Sequence, residues 1–163
     1  MQDYQKLLSV AIEAAIKAGN ETLKFYLHEF DVLIKEDHSP LTQADLESNQ
    51  IINNYLDSTG IPILSEENKL IRYEIRKNWK QFWLVDPLDG TKEFINKRSE
   101  YTVNIALVEN GVPILGVVYA PVLNTLYYSL QSLGSFKIVP EGNATYKSIV
   151  KKAQKLHLGK PHS

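Results

Sequence analysis

Cysteine is absent from the 163-residue chain, methionine occurs once and tryptophan twice. Without thiols there is no disulfide and no thiolate metal site, and Zn²⁺ becomes a poor candidate. Long apolar runs are also lacking; none approaches the roughly 18 residues that a membrane span needs. The first residues contain no hydrophobic region of the signal-peptide kind and carry Asp3 and Glu13 early, so no secretory leader is read there. Neither charge is in excess. With 18 basic and 19 acidic residues the net charge is −1, which gives no electrostatic reason to bind a nucleic-acid polymer or a membrane surface. No internal repeat and no low-complexity tract occurs. These absences leave a soluble, cytoplasmic protein with no transmembrane segment as the expectation.

What is present is ordinary for one globular domain: 44% hydrophobic and 23% charged residues, in a chain long enough to bury a sizeable core. The spacing of Leu7, Leu8, Ala11, Ala15, Ala18 and Leu23 predicts a helix over residues 3–28, helped at its start by Asp3 and weakened by Gly19. Val32 and Ile34 suggest a short strand, followed by a polar loop through Pro40. Thr42 or Asp45 is placed to cap a helix reaching about Leu56, with Leu46, Ile51, Ile52 and Tyr55 as its apolar face. A short strand is read at residues 61–64 and an exposed helix at 68–79. Strands at 101–108 and 112–119 are joined by Asn110-Gly111, a strong hairpin signal, and strands at 125–130 and 135–139 continue as a meander. Helices mixed with short strands and then a run of antiparallel strands predict an α+β fold, an antiparallel sheet packed with helices.

The stretch that carries chemistry is Trp83-Leu84-Val85-Asp86-Pro87-Leu88-Asp89-Gly90-Thr91-Lys92-Glu93-Phe94. The apolar run from Phe82 to Val85 reads as a buried strand that stops at Asp86, where Pro87 fixes φ and removes a donor. Asp89-Gly90 favours a tight turn, and Thr91 opens a short helical turn. Two carboxylates three residues apart at a strand end make a hard-oxygen site suited to Mg²⁺. The amides of Gly90 and Thr91 would face an anion such as phosphate. Two further carboxylate positions stand after Ser39-Pro40-Leu41-Thr42 (Asp45) and after Ile63-Leu64-Ser65 (Glu66 and Glu67). Taken singly, each of these reads first as an acidic turn, a helix cap or a surface ion pair, and Thr91 reads equally as a cap. If the carboxylates converge, they would hold one or two Mg²⁺ ions about 4 Å apart, an arrangement suited to phosphate-ester hydrolysis.

The string W-L-V-D-P-L-D-G-T-K-E-F resembles the signature of the inositol monophosphatase superfamily. Its Lys92-Glu93-Phe94 continuation resembles the bacterial 3'(2'),5'-bisphosphate nucleotidase branch rather than the inositol phosphatases. The resemblance implies the first half of that superfamily's α-β-α-β-α sandwich. It implies a phosphomonoesterase acting on adenosine 3',5'-bisphosphate, with two or three Mg²⁺ ions in a full-length enzyme and inhibition by Li⁺. Inositol monophosphatase activity on the same scaffold is the alternative substrate reading, and a non-catalytic metal-binding or interaction domain is the alternative class. By the same resemblance Glu66, Asp86 and Asp89 bind the metals with the carbonyl of Leu88 and the hydroxyl of Thr91. Asp45 pairs with Thr91 to activate water, with Glu66 helping to position it. Asp89, Gly90 and Thr91 meet the phosphate. Glu67 is expected to stand behind the ligands, and Lys35 and Asp37 to belong to a mobile loop over the metals. His38 is left as a loop residue.

The superfamily also uses a later W-D-x-A-A type element whose Asp binds metal. Trp79 and Trp83 are not followed by Asp, and no such element occurs after Tyr128. The expectation is therefore a metal-site domain over residues 1–140 and, over 141–163, the beginning of an absent second half. Weak activity of the chain alone, and association of copies through surface that the second half would cover, are expected with it.

Overall fold

The computed structural model describes residues 3–28, 32–34, 40–142 and 144–157. Helix α1 spans Tyr4–Tyr26, and the Asp3 carboxylate caps it by accepting from the amides of Gln5 and Lys6, both at 3.1 Å. Its buried stripe is rich in alanine (Ala11, Ala14, Ala15 and Ala18), so the helix backbone lies close to the sheet. Gly19 extends that logic. A Cβ there would meet the Tyr119 ring at 2.5 Å and Pro121 at 2.9 Å. The glycine that weakens the helix in isolation is what lets it seat.

Strands β1 (Val32–Ile34) and β2 (Pro40–Thr42) form a small antiparallel ladder. Helix α2 (Gln43–Leu56) follows directly, then a 3₁₀ turn at Asp57–Thr59 and strand β3 (Ile63–Ser65). The expected helix over 68–79 contracts to α3, Tyr73–Arg76. Leu70 is 96% exposed and Tyr73 and Ile75 are also exposed, so no apolar face packs to hold a longer helix, and short helices need such packing. Strand β4 runs from Gln81 to Asp89, past the predicted stop at Asp86. Its pairing lapses between Asp86 and Asp89 and resumes at Asp89 opposite Thr102. Pro87, with no N–H to give the ladder, sits in that lapse.

After β4 come α4 (Thr91–Ile95), β5 (Thr102–Glu109), β6 (Val112–Ala120), β7 (Thr125–Leu130), β8 (Gly134–Ile138), α5 (Tyr146–Lys152) and β9 (Gln154–Lys155). Asn110 and Gly111 take positive φ, 50° and 79°, which a two-residue hairpin turn requires. Strands β3 to β9 lie in sequence order in one seven-stranded sheet. The sheet is mixed rather than wholly antiparallel, because β3 runs parallel to β4.

Helices α1, α2 and α5 cover one face. Trp83, Ile105, Leu107, Val117 and Leu126 point into the core from that side, with Ile149 of α5 in the same cluster. The Trp83 indole N–H donates to Thr59 Oγ1 at 3.0 Å. The buried stripe of α2 differs from the one predicted: Leu46 is exposed, while Asp45, Ser48 and Asn49 are buried with Ile52 and Leu56. On the opposite sheet face, Leu84, Ala106 and Gly116 pair across neighbouring strands. With Val118, Leu70 and Ile71 they line an apolar groove of about 620 Å³, whose end reaches Glu66, Asp86 and Asn104. No helix among the described residues is long and apolar enough to cross a membrane.

Candidate active site

The parallel register of β3 on β4 sets Ser65 opposite Val85, so the next residues stand side by side, Glu66 just past the end of β3 and Asp86 still within β4 opposite Asn104. The Glu66 amide still donates to the Val85 carbonyl at 3.2 Å. Burial, and then the neighbouring charges of Glu66 and Asp89, push the Asp86 carboxyl up to about 7; Glu67 adds to this, while the Leu88 amide opposes it. Like charges have been brought together in a partly dry place.

Asp89 ends the strand, exposed, and its Oδ2 accepts from Asn104 Nδ2 at 3.0 Å. Asn104 is itself oriented by Thr102 Oγ1, which donates to its Oδ1 at 3.0 Å. Gly90 then turns the chain with φ 93°. A Cβ at Gly90 would lie 3.2 Å from the Glu100 carbonyl oxygen and 3.4 Å from Tyr101, so both its conformation and its lack of a side chain are used. Thr91 opens α4, and its hydroxyl lies 3.3 Å from both Asp45 Oδ1 and the Leu88 carbonyl. Asp45 is 2% exposed. Its other oxygen accepts from the Thr42 amide at 2.8 Å and from the Thr42 hydroxyl. Burial raises the Asp45 pKa despite these donors. Beneath the turn, Leu88, Ala44, Phe94 and Tyr101 form a small core of their own. The Phe94 and Tyr101 rings meet edge to face at 5.0 Å, and the Tyr101 hydroxyl is 3.0 Å from Thr22 Oγ1.

The structure thus brings Asp45, Thr91 and the Leu88 carbonyl together, sets Glu66 beside Asp86, and leaves Glu67 close enough to affect Asp86. Lys35, Asp37 and His38 lie outside the described residues. Sequence reasoning missed Asn104, Ser48 and Asn49. Ser48 donates to the Pro87 carbonyl at 2.7 Å, and Asn49 accepts from Ser65 Oγ at 2.7 Å. Polar residues at 45, 48, 49 and 53 share the i, i+3, i+4, i+8 rhythm of one helix stripe, which was the available signal. Asn104 carried none, since its pairing opposite Asp86 depends on the β4–β5 register.

Among the described residues, no three carboxylate or imidazole side chains stand close enough to enclose a metal ion by themselves. The donors nevertheless suit Mg²⁺ in kind. All are oxygens: the carboxylates of Glu66, Asp86 and Asp89, the Leu88 carbonyl and the Thr91 hydroxyl. Mg²⁺ commonly takes one or two carboxylates and completes its octahedron with water and phosphate oxygens.

Comparison with known proteins agrees with this geometry. The chain is 42% identical over 135 residues to a 3'(2'),5'-bisphosphate nucleotidase CysQ of Haemophilus influenzae, covering 82% of this chain and 50% of that protein. It is 46% identical over 125 residues to the protein of the same name from Escherichia coli strain K12, covering 74% and 50%. The chain therefore spans about half the length of these curated relatives. The crystal structure of CysQ from Bacteroides thetaiotaomicron superimposes with a TM-score of 0.83 at 40% identity, over 98% of this chain and 60% of that one. An inositol monophosphatase from Thermotoga maritima gives 0.72 at 27% identity, over 81% and 51%. Enzymes of this kind are generally Mg²⁺-dependent. The profile of the inositol monophosphatase family matches residues 3–158, and the chain belongs to that family.

Proposed function

We propose that this chain carries the catalytic carboxylates of a Mg²⁺-dependent phosphomonoesterase that removes the 3'-phosphate of adenosine 3',5'-bisphosphate, yielding AMP and phosphate. The observation that carries the reading is the Asp45–Thr91 contact set against the like-charged pair of Glu66 and Asp86. A buried acid, a hydroxyl and a carboxylate cluster are what in-line attack by water on a phosphate ester requires. The names of the relatives supply the substrate.

Glu66, Asp86, Asp89, the Leu88 carbonyl and the Thr91 hydroxyl would hold Mg²⁺, two or three ions in a full-length enzyme. When bound, the metal supplies neutralisation of phosphate charge and a lowered pKa for water. The chain's own residues do the rest. Thr91 Oγ1 takes the proton of the attacking water as it gives its own to Asp45. The raised pKa of Asp45 makes that carboxylate a ready acceptor. Glu66 orients the water, and Asp89 with the Gly90 and Thr91 amides holds the phosphate. Glu67 supports the ligands from behind.

The division into a metal-site domain over 1–140 and the beginning of a second half over 141–163 is part of this reading, as are a cytoplasmic location, Li⁺ inhibition and association of copies through the open apolar face. The chain alone is expected to turn over slowly, since the W-D-x-A-A type ligand does not occur in it. Phosphate release from adenosine 3',5'-bisphosphate and from inositol 1-phosphate tests the assignment. It would be measured with the chain alone and with the chain joined to the second half of the Haemophilus relative. Preference for the bisphosphate, lost in Asp89→Asn, is expected. Equal rates on both substrates, or rates unchanged by Asp89→Asn, would overturn it.

A further inference from the structure

Glu66 and Glu67 are bracketed in sequence by Ser65 and Asn68, and both brackets are tied to the same side chain of α2. Ser65 Oγ donates to Asn49 Oδ1 at 2.7 Å, and Asn49 Nδ2 donates to Asn68 Oδ1 at 2.9 Å. Asn53, one turn further along α2, donates to the same Asn68 oxygen at 2.9 Å and accepts from Asn68 Nδ2 at 3.3 Å. Asp86 and Leu88 flank Pro87, and the Pro87 carbonyl accepts from Ser48 Oγ at 2.7 Å. Two consecutive residues of one helix therefore hold both carboxylate-bearing segments, Asn49 at the two ends of 65–68 and Ser48 at the middle of 86–88. Ser48 is fully buried and Asn49 is 8% exposed.

That placement costs the core apolar contact, because the stripe of α2 that faces the sheet would pack better with Ala and Leu at these positions. It makes sense against the charge arrangement. The β3 ladder is only three residues long, and it must end where two carboxylates emerge side by side. Coulombic repulsion between them would splay such short strand ends. Neutral hydrogen bonds from a rigid helix oppose the splaying without adding charge that would compete for a cation.

We propose that Ser48 and Asn49 are positioning residues, which fix the spacing of the β3 and β4 ends so that Glu66 and Asp86 stay side by side before any cation arrives. The inference deepens, and in its metal-binding arm rests on, the reading of this site as a Mg²⁺ site. Outer hydrogen-bond partners of this kind typically change metal affinity by about 10-fold to 100-fold when removed.

Amide hydrogen exchange on the metal-free chain, compared with Ser48→Ala and the near-isosteric Asn49→Leu, tests the spacing role. Exchange of the Glu66 and Asn68 amides should quicken by about fivefold in Asn49→Leu, the scale of one neutral hydrogen bond. The Leu88 amide should do so in Ser48→Ala. The Trp83 amide, bonded to the Pro62 carbonyl at the far end of the β3–β4 ladder at 2.8 Å, should hold its rate. Ser65→Ala, which removes the hydroxyl that donates to Asn49 and accepts from the Glu67 amide at 3.4 Å, should reproduce the first effect even where Asn49→Leu fails to fold. Calorimetric titration with MgCl₂ should show affinity lowered by about tenfold in the folded variants. Exchange that quickens uniformly, Trp83 included, or variants that bind Mg²⁺ as tightly as the parent, would overturn the proposal. A parent chain that binds no Mg²⁺ would defeat the metal reading instead, and the exchange result would still decide the spacing role.

Discussion

The hydroxyl of Thr91 stands 3.3 Å from a carboxylate oxygen of Asp45, although the two residues belong to different helices that meet across the end of β4. Asp45 spends its other oxygen on Thr42, so the oxygen facing Thr91 is held for that contact. Thr91→Val keeps the shape and removes the hydroxyl. In the chain joined to a relative's second half, kcat should fall by about 10²-fold to 10⁴-fold with little change in KM. A loss confined to KM would show that Thr91 binds substrate without moving a proton.

Asp86 makes stability depend on pH in an unusual direction. Its carboxyl titrates at about 7 in the fold against an ordinary 3.8, so between those values the folded chain holds more protons than the unfolded one. Stability of the metal-free chain should therefore fall as pH rises from about 4 to about 7, and the raised pKa of Asp45 acts in the same sense. Mg²⁺ should then raise the melting temperature more at pH 8 than at pH 5. Melting curves that rise with pH across this interval would contradict the account.

Gly90 and Gly60 make a matched pair. Both have positive φ, 93° and 67°, but a Cβ at Gly60 meets nothing within 4 Å, whereas one at Gly90 meets the Glu100 carbonyl at 3.2 Å. Gly60→Ala should cost about 1 kcal/mol of backbone strain. Gly90→Ala should cost about 1–3 kcal/mol more, through the added contact with the Glu100 carbonyl and Tyr101. Urea midpoints of the two variants give the comparison, and equal losses would show that the close approach at Gly90 is relieved freely.

The open sheet face should be detectable in solution. Leu84 is 46% exposed and Val118 39%, in an apolar groove larger than an isolated surface side chain would make. The chain should bind a hydrophobic dye and elute early on size exclusion, and Leu84→Asp with Val118→Asp should reduce both without lowering the melting temperature. A parent chain that elutes as a dye-negative monomer would rule out association through this face.

The parts of the fold legible in the sequence are those fixed locally. Asn110-Gly111 announced its hairpin because only residues tolerant of positive φ serve there. Asp86 to Thr91 announced a turn because Pro87 and Gly90 constrain the backbone whatever surrounds them. The features that escaped depend on distant packing. Periodicity gave α2 an apolar stripe through Leu46, but the helix turns Ser48 and Asn49 inward, because the strand ends below them present polar atoms to satisfy. Residues 68–79 have helix formers but no surface to lie on, and only a single turn forms. The convergence of Asp45 with Thr91 was readable from the resemblance and not from spacing, since no local rule relates positions so far apart.

Among the described residues β3–β4 is the one parallel pair of the large sheet, and β3 sits at the sheet's edge. Every other strand from β5 to β8 reaches its neighbour through a short reversal, whereas β3 closes onto β4 only across the long excursion through α3. Such closure carries the larger entropic cost and belongs late in folding. The meander can therefore be native while the carboxylates of β3 and β4 are still apart. In pulse-labelled refolding the amides of β5 to β8 should gain protection before that of Glu66. A refolding chain would then hold a sound core some time before it acquires any capacity for chemistry.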